Sequence, residues 1–316
     1  MKHQFTLFLI ISMSLNSMAQ ENQQSFSLKE IKGNGSQIEV NPSNYISYDN
    51  TKINYYRFTP KKPALAKLIF IHGGGAHSKL GYFKFAKELR DSFAIETILV
   101  DLRGHGMSEG KRGDSPDVSS IYKDINVLLY KEKSKNNLPV YLGGHSSGGG
   151  LIVNYNSWKK KEKVDGYIFV SPELGYKSDT EKGNRVPFAK VKVWKFVVNG
   201  ITQGLMMQHS DVVFFNYPEK TLQQNPLILT EITVNMSKAL TPDKPKKQFE
   251  QITEPIAMFV GDQDEMLDAR KVIRYTNLPL IKNKKSVSKI IANQKHLSIL
   301  NGIGTEIGNT ILKWKG

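Results

Sequence analysis

The chain has 316 residues, 39% hydrophobic and 10% aromatic, which fits a globular protein and excludes a wholly disordered one. No cysteine is present, so disulfides, a thiol nucleophile and lipid attachment through a cysteine are excluded. The net charge of +15 is uneven: from Arg270 to Gly316, ten Lys and Arg stand against one acid, Glu306. Such a basic stretch can meet an anionic membrane surface, or it is simply a solvated lysine-rich face. No nucleic-acid-binding module is visible, and nucleic acid is not an expected partner.

In chain order, residues 1–19 read as a signal peptide. Lys2 and His3 make a basic start, Phe5 to Ile11 is apolar, and Ser17-Met18-Ala19 is a small-x-small cleavage site. Export to the periplasm or the medium is expected, with an uncleaved membrane tether as the alternative. Residues 20–43 form a polar lead-in. Tyr45 to Tyr48 and Ile53 to Phe58 alternate around Asp49-Asn50 and predict a hairpin. Leu65 to Ile71 and Ile95 to Val100 are short apolar runs of the kind that a strand buried on both faces requires. Helical patterns fall at Lys79 to Asp91 and Val118 to Lys133. Strands alternating with helices at this interval predict an α/β fold with a mostly parallel sheet and right-handed crossovers.

Residues 139–150, PVYLGGHSSGGG, predict a strand, a tight turn and a helix, with Ser146 on the turn. Gly144-x-Ser146-x-Gly148 is the spacing of a nucleophile elbow, in which glycines relieve crowding around a strained serine. Gly166 to Val170 is the next strand. The rhythm then breaks: residues 173–251 lack buried strand runs and carry amphipathic stretches rich in Phe, Trp and Met. They predict a helical cap inserted into one domain whose core spans 44–172 and 252–316. The rhythm resumes with a strand at Pro255 to Gly261, a helix at Glu265 to Tyr275 and a strand at Ser286 to Ile291. A last helix runs from His296 to Trp314, interrupted near Gly302.

A serine hydroxyl needs a base, and the base an orienting acid. In a parallel sheet these groups sit at the carboxyl ends of strands. Two downstream segments qualify: Gly261-Asp262-Gln263-Asp264 and Gln294-Lys295-His296. Asp264 and Asp262 both remain open as the acid, and Glu173, after the preceding strand, is a remoter substitute. The histidines lack metal-ligand spacing, and neither a metal nor a cofactor is expected. His72, His77, His105 and Asp101 read as loop-bracing residues.

Four blocks, IHGGGAHS, DLRGHGMSEG, GGHSSGG and FVGDQDEML with QKHLSIL, together resemble the α/β-hydrolase superfamily. The likeness is to its monoacylglycerol lipase and lysophospholipase-like branch and covers the chain from about Leu65 to Leu300. The resemblance implies that Ser146 is the nucleophile, Asp264 the acid and His296 the general base. It assigns the oxyanion hole to the backbone amides of Gly74 and Ser147; the branch often carries methionine where Ser147 stands. It implies hydrolysis of a carboxylic ester, a monoacyl lipid in particular. Two alternatives stand beside it: amide hydrolysis by a relative of the serine aminopeptidases, and a non-catalytic lipid-binding protein on the same scaffold.

Overall fold

In the computed structural model of the chain, residues 38–183 and 188–316 are described. The expected leader and most of the polar lead-in lie outside the described residues. The chain opens with β1 (Pro42–Ile46), β2 (Lys52–Phe58) and β3 (Ala66–Ile71), followed by α1 (Phe83–Phe93), β4 (Ile95–Val100) and α2 (Ser120–Lys135). Next come β5 (Val140–His145), α3 (Ser147–Ser157) and β6 (Tyr167–Val170). The insertion holds β7 (Ala189–Val191), α4 (Val193–Ile201), β8 (Asp211–Phe215), α5 (Glu219–Gln224) and β9 (Glu231–Thr233). It leads through α6 (Val234–Leu240) and α7 (Pro245–Glu250) to β10 (Ile256–Gly261), α8 (Ala269–Ile273), β11 (Val287–Ile291) and α9 (Ile303–Lys315).

The main sheet has eight strands in the order β1-β2-β4-β3-β5-β6-β10-β11. β1, β2 and β4 pair antiparallel, and every pair from β4 through β11 is parallel. The central strands are mostly apolar because both faces are covered; Lys67 of β3 is buried with its ammonium paired to Glu132. In β3, Ile69 and Ile71 pack toward α2 and α3, while Leu68 and Phe70 pack toward α1 and α9. β10 alternates likewise, with Met258 and Val260 on one side and Ala257 and Phe259 on the other. The chain turns of β3, β5, β6, β10 and β11 therefore open at one edge of the sheet, where the connecting loops meet.

The insertion is not all helical, contrary to expectation. β7, β8 and β9 form a separate three-stranded antiparallel sheet. These strands are short and only partly buried, so they leave no continuous apolar run in the sequence. At the other end, Met236, Leu240 and Phe249 of α6 and α7 join the same apolar cluster as α3 and the sheet. The chain thus rejoins the core layer well before residue 251. Two helices are also shorter than their patterns predict. Residues 79–81 form a turn, with Gly81 at φ 86°, so α1 starts at Phe83. The Asp264 carboxylate takes the amides of Met266 and Leu267, which holds that segment as a turn until Asp268 caps α8.

Candidate active site

Ser146 stands between β5 and α3 with φ 54° and ψ −124°, a region that side chains other than glycine seldom occupy. The neighbouring glycines are needed for room. A Cβ on Gly144 would lie 2.5 Å from the Gly148 backbone, and one on Gly148 would lie 2.5 Å from the His72 carbonyl oxygen. The serine is fixed by its own backbone: its N–H donates to the Val170 carbonyl (3.1 Å), and its carbonyl accepts from the amides of Gly149 and Glu173 (2.9 Å each).

His296 follows β11, and Asp264 follows β10. The imidazole lies between the serine and the acid, with Nε2 3.0 Å from Ser146 Oγ and Nδ1 2.9 Å from Asp264 Oδ2. Asp264 is fully buried and His296 nearly so. The second carboxylate oxygen of Asp264 accepts from Leu267 N (2.9 Å) and Met266 N (3.0 Å). Burial works to raise the Asp264 carboxyl, but the charge and hydrogen bond of His296 and the two amides outweigh it, so it is held below its ordinary value. Burial works to lower His296. The charge and hydrogen bond of Asp264, followed by the charges of Glu265 and Glu173, outweigh it, and His296 is raised. A carboxylate opposite Nδ1 keeps the proton on that nitrogen, leaving the Nε2 lone pair to face the serine hydroxyl.

Of the other acids considered, Asp262 is exposed and accepts from Gln294 N (3.3 Å). Glu173 sits close enough for its charge to act on His296, but its carboxylate accepts from Gly175 N (2.8 Å), and the Nδ1 partner is Asp264. Gly74 lies in the loop after β3 and lines the same cleft as Ser146 and His296. The carbonyl before it, of Gly73, accepts from His72 Nδ1 (2.8 Å) and Ala76 N (3.2 Å). In a trans peptide the N–H points opposite the C=O, so these two bonds turn the Gly74 N–H away from His72. Ser147 opens α3, with its amide among the unpaired donors of a helix start.

His72 also accepts from Leu102 N (3.1 Å), which spends both ring nitrogens on loop geometry. Asp101 accepts from Ser78 N, Met107 N and Asn54 Nδ2, and His105 lies against His72 with ring centroids 5.2 Å apart. These residues brace the two loops behind Gly74. Among the described residues, no group of His, Asp and Glu is arranged to hold a metal ion.

Several residues at the site were not apparent in the sequence. His145, the variable position inside the Gly-x-Ser-x-Gly spacing, lies 2.9 Å through Nε2 from the His296 carbonyl and 3.0 Å through Nδ1 from Tyr82 Oη. Tyr82 Oη in turn accepts from Gly73 N (2.8 Å). Burial, then the charge of His296, lowers the His145 imidazole to about 3, so it stays neutral. It therefore donates from Nε2 and accepts at Nδ1, which links the loop of the base to the loop of Gly74. From the insertion, Tyr217 donates its hydroxyl to the Gly74 carbonyl (3.0 Å). Its ring meets Phe188 edge-on at 5.0 Å, both rings line the cleft, and Phe215 packs against the two. The free space beneath is about 360 Å³, part of it open to solvent, with Leu80 and Leu297 on its walls. No local pattern announced these contacts, because each joins residues far apart in the chain.

Comparison with known proteins agrees with this architecture. Residues 62–304 match the family described as serine aminopeptidase, S33. The chain is 33% identical over 164 residues to an abhydrolase domain-containing protein of Dictyostelium discoideum, covering 52% of this chain and 16% of that one. It is 23% identical over 236 residues to human monoglyceride lipase, covering 73% and 75%. The crystal structure of a soluble variant of the Saccharomyces cerevisiae monoglyceride lipase superposes with a TM-score of 0.69 at 15% identity, over 90% of this chain and 98% of that one. The chain belongs to the serine aminopeptidase S33 family and has the α/β-hydrolase fold.

Proposed function

We propose that the protein hydrolyses carboxylic esters through an acyl-enzyme on Ser146. One observation carries the reading: a single imidazole spans a serine hydroxyl at 3.0 Å and a buried carboxylate at 2.9 Å. His296 takes the Ser146 proton as Oγ attacks the ester carbonyl. The amides of Gly74 and Ser147 receive the charge that moves onto the carbonyl oxygen. Asp264 offsets the positive charge that His296 then carries. His296 returns the proton to the leaving alcohol, then activates the water that frees the acid. Monoacyl lipids are the proposed substrates, supported by the apolar cleft and by similarity to a monoglyceride lipase. Hydrolysis of p-nitrophenyl esters from short to long chains tests the reading, with Ser146→Ala alongside. Serine-dependent turnover that rises with chain length is expected. Activity in Ser146→Ala refutes the mechanism.

A lipid surface is part of the same proposal, and the cap carries it better than the basic C-terminal stretch does. Helix α4 is turned inside out: Asn199 is its buried residue, while Val193, Trp194, Val197 and Ile201 are exposed. Leu205 and Met206 extend that exposed face, and Lys190 and Lys192 flank it. Apolar residues rimmed by cations suit a membrane bearing anionic lipid. In the C-terminal stretch, Lys271 and Lys289 are already paired with Asp179 and Glu306. Its exposed Leu280 and Ile281 precede β11, at the sheet edge opposite Ser146. Export through residues 1–19 belongs to the reading as well. N-terminal sequencing of protein recovered outside the cytoplasm tests it, with Gln20 as the expected first residue.

A further inference from the structure

His296 is held by its backbone as well as by its ring. Its carbonyl accepts from His145 Nε2 (2.9 Å), and its backbone N–H donates to Glu265 Oε2 (3.0 Å). The residue is buried, and a buried N–H requires an acceptor. Here the acceptor is a carboxylate, which makes a bond about twice as strong as a neutral oxygen does. Glu265 is half-buried and directly follows the acid. Each residue from Asp262 to Glu265 in fact bonds the loop that carries the base. The Asp262 carboxylate accepts from Gln294 N (3.3 Å), and Gln263 N donates to the Gln294 carbonyl (3.0 Å). Those two bonds fasten a residue two places before the base. Asp264 and Glu265 fasten the base itself, one at Nδ1 and the other at the backbone N–H.

We propose that Glu265 is a positioning residue for the base: its carboxylate fixes the His296 backbone from the side opposite His145, and its charge supports the imidazolium that forms as Ser146 attacks. The inference rests on the ester-hydrolase reading of the site. Other residues form the cleft walls, so Glu265 acts on the reaction only through His296. It transfers no proton: the serine proton passes to His296 Nε2 and from there to the leaving alcohol. The titratable and charged groups facing the ring are Asp264 and Glu265 after β10, Glu173 after β6 and His145 at the end of β5. His145 is neutral, for the reasons given above. Burial works to lower the His296 imidazole; the charge and hydrogen bond of Asp264 oppose it most, and the charges of Glu265 and Glu173 add to them. A group that holds the base in place, and does not bind substrate, bears on kcat and leaves KM alone. A misplacement of about 1 Å costs on the order of 10² in rate, and with Asp264 and His145 still in place a loss of about tenfold to a hundredfold is expected without Glu265.

The test follows p-nitrophenyl butyrate hydrolysis by the full chain between about pH 5 and 9, with rates corrected for the folded fraction read from the calorimetric unfolding enthalpy. Glu265→Ala removes both the acceptor and the charge. Its kcat should fall about tenfold or more, with KM within about twofold of wild type. Glu265→Gln keeps an acceptor oxygen and removes only the charge. It should recover kcat to within about threefold of wild type. In both variants a negative charge beside the ring is gone, the imidazolium gives up its proton more readily, and the acid limb of kcat/KM should move to lower pH. A residue that merely stabilised the fold would lower the melting temperature and leave that limb where it is. The proposal is overturned if alanine keeps kcat within about threefold, if KM rises in place of a fall in kcat, or if the acid limb stays put in both variants. Should alanine fail to fold, glutamine decides alone: a lowered limb supports the proposal and an unmoved one overturns it. Ser146→Ala separates the two levels. If it is inactive, the hydrolase reading stands whatever Glu265 does; if it is active, that reading has failed first.

Discussion

Replacing Asp264 by Asn keeps the shape of the triad and removes its charge. Asp264 is fully buried, and its carboxylate meets the His296 ring at 2.9 Å. In the transition state that ring carries a positive charge. Two unit charges about 4 Å apart at an effective dielectric near 20 attract by about 4 kcal/mol. Losing that attraction corresponds to about a thousandfold in kcat. An amide can also turn its NH₂ toward Nδ1 and favour the wrong tautomer, which extends the expected loss to about ten-thousandfold. The pH profile supplies a second readout. Activity needs neutral His296, whose pKa is raised above 6.5, so the acid limb of kcat/KM for the wild type lies above that value. In Asp264→Asn the largest raising influence is gone while burial still lowers the ring, and the limb moves down. Turnover of p-nitrophenyl butyrate from pH 5 to 9 measures both effects. A variant within tenfold of wild type, with its acid limb unmoved, refutes the assignment of Asp264.

Ser146→Gly should abolish turnover and still melt higher than Ser146→Ala. Its backbone strain is worth about 1–3 kcal/mol, glycine relieves it and alanine does not, and a difference of roughly 2–6 °C in differential scanning calorimetry is expected. An alanine variant at least as stable as the glycine variant contradicts the strain. Gly148→Ala places its methyl 2.5 Å from the His72 carbonyl oxygen and 2.6 Å from that of Ile71, both backbone atoms that cannot swing aside. A loss of about 1–3 kcal/mol is expected, read as a lower urea midpoint, and an unchanged midpoint would be inconsistent with that crowding. Ile201→Asp, on the exposed face of α4, should weaken sedimentation with anionic vesicles, and binding by the wild type should fall as salt is raised. Equal sedimentation of variant and wild type removes the cap from the lipid-surface proposal.

The legible parts of the sequence were those where one physical demand acts on consecutive residues. A strand covered on both faces is apolar at nearly every position, as in β10 and, apart from the paired Lys67, in β3. A strained serine needs space at two fixed offsets, and Gly144 and Gly148 provide it. The rule that functional groups gather at the carboxyl ends of strands brought out His296 and left Asp262 and Asp264 open as the acid, and the family resemblance singled out Asp264. The cap sheet escaped notice because Ala189–Val191 and Glu231–Thr233 are each three residues long and leave little periodicity to find. His145 and Tyr82 escaped for a different reason. Their partners lie 151 and 63 residues away, and only the folded sheet brings them together.

The bond from Tyr217 to the Gly74 carbonyl ties readiness to access. The phenol pins the same glycine whose amide is proposed to face the reacting oxygen, and Phe188 and Tyr217 line the way in. A cap lifted far enough to admit a long chain gives up that hydrogen bond and leaves the Gly74 carbonyl to be satisfied by water. Were the cap to open in this way, admission and competence would draw on opposite ends of one equilibrium. On that reading a short ester slipping beneath the seated cap would meet a finished site, whereas a lipid would first have to loosen the loop proposed to hold its carbonyl. If lipids are the substrates and the cap lifts to admit them, the reseating of Tyr217 over the bound chain would be the event that commits it to reaction.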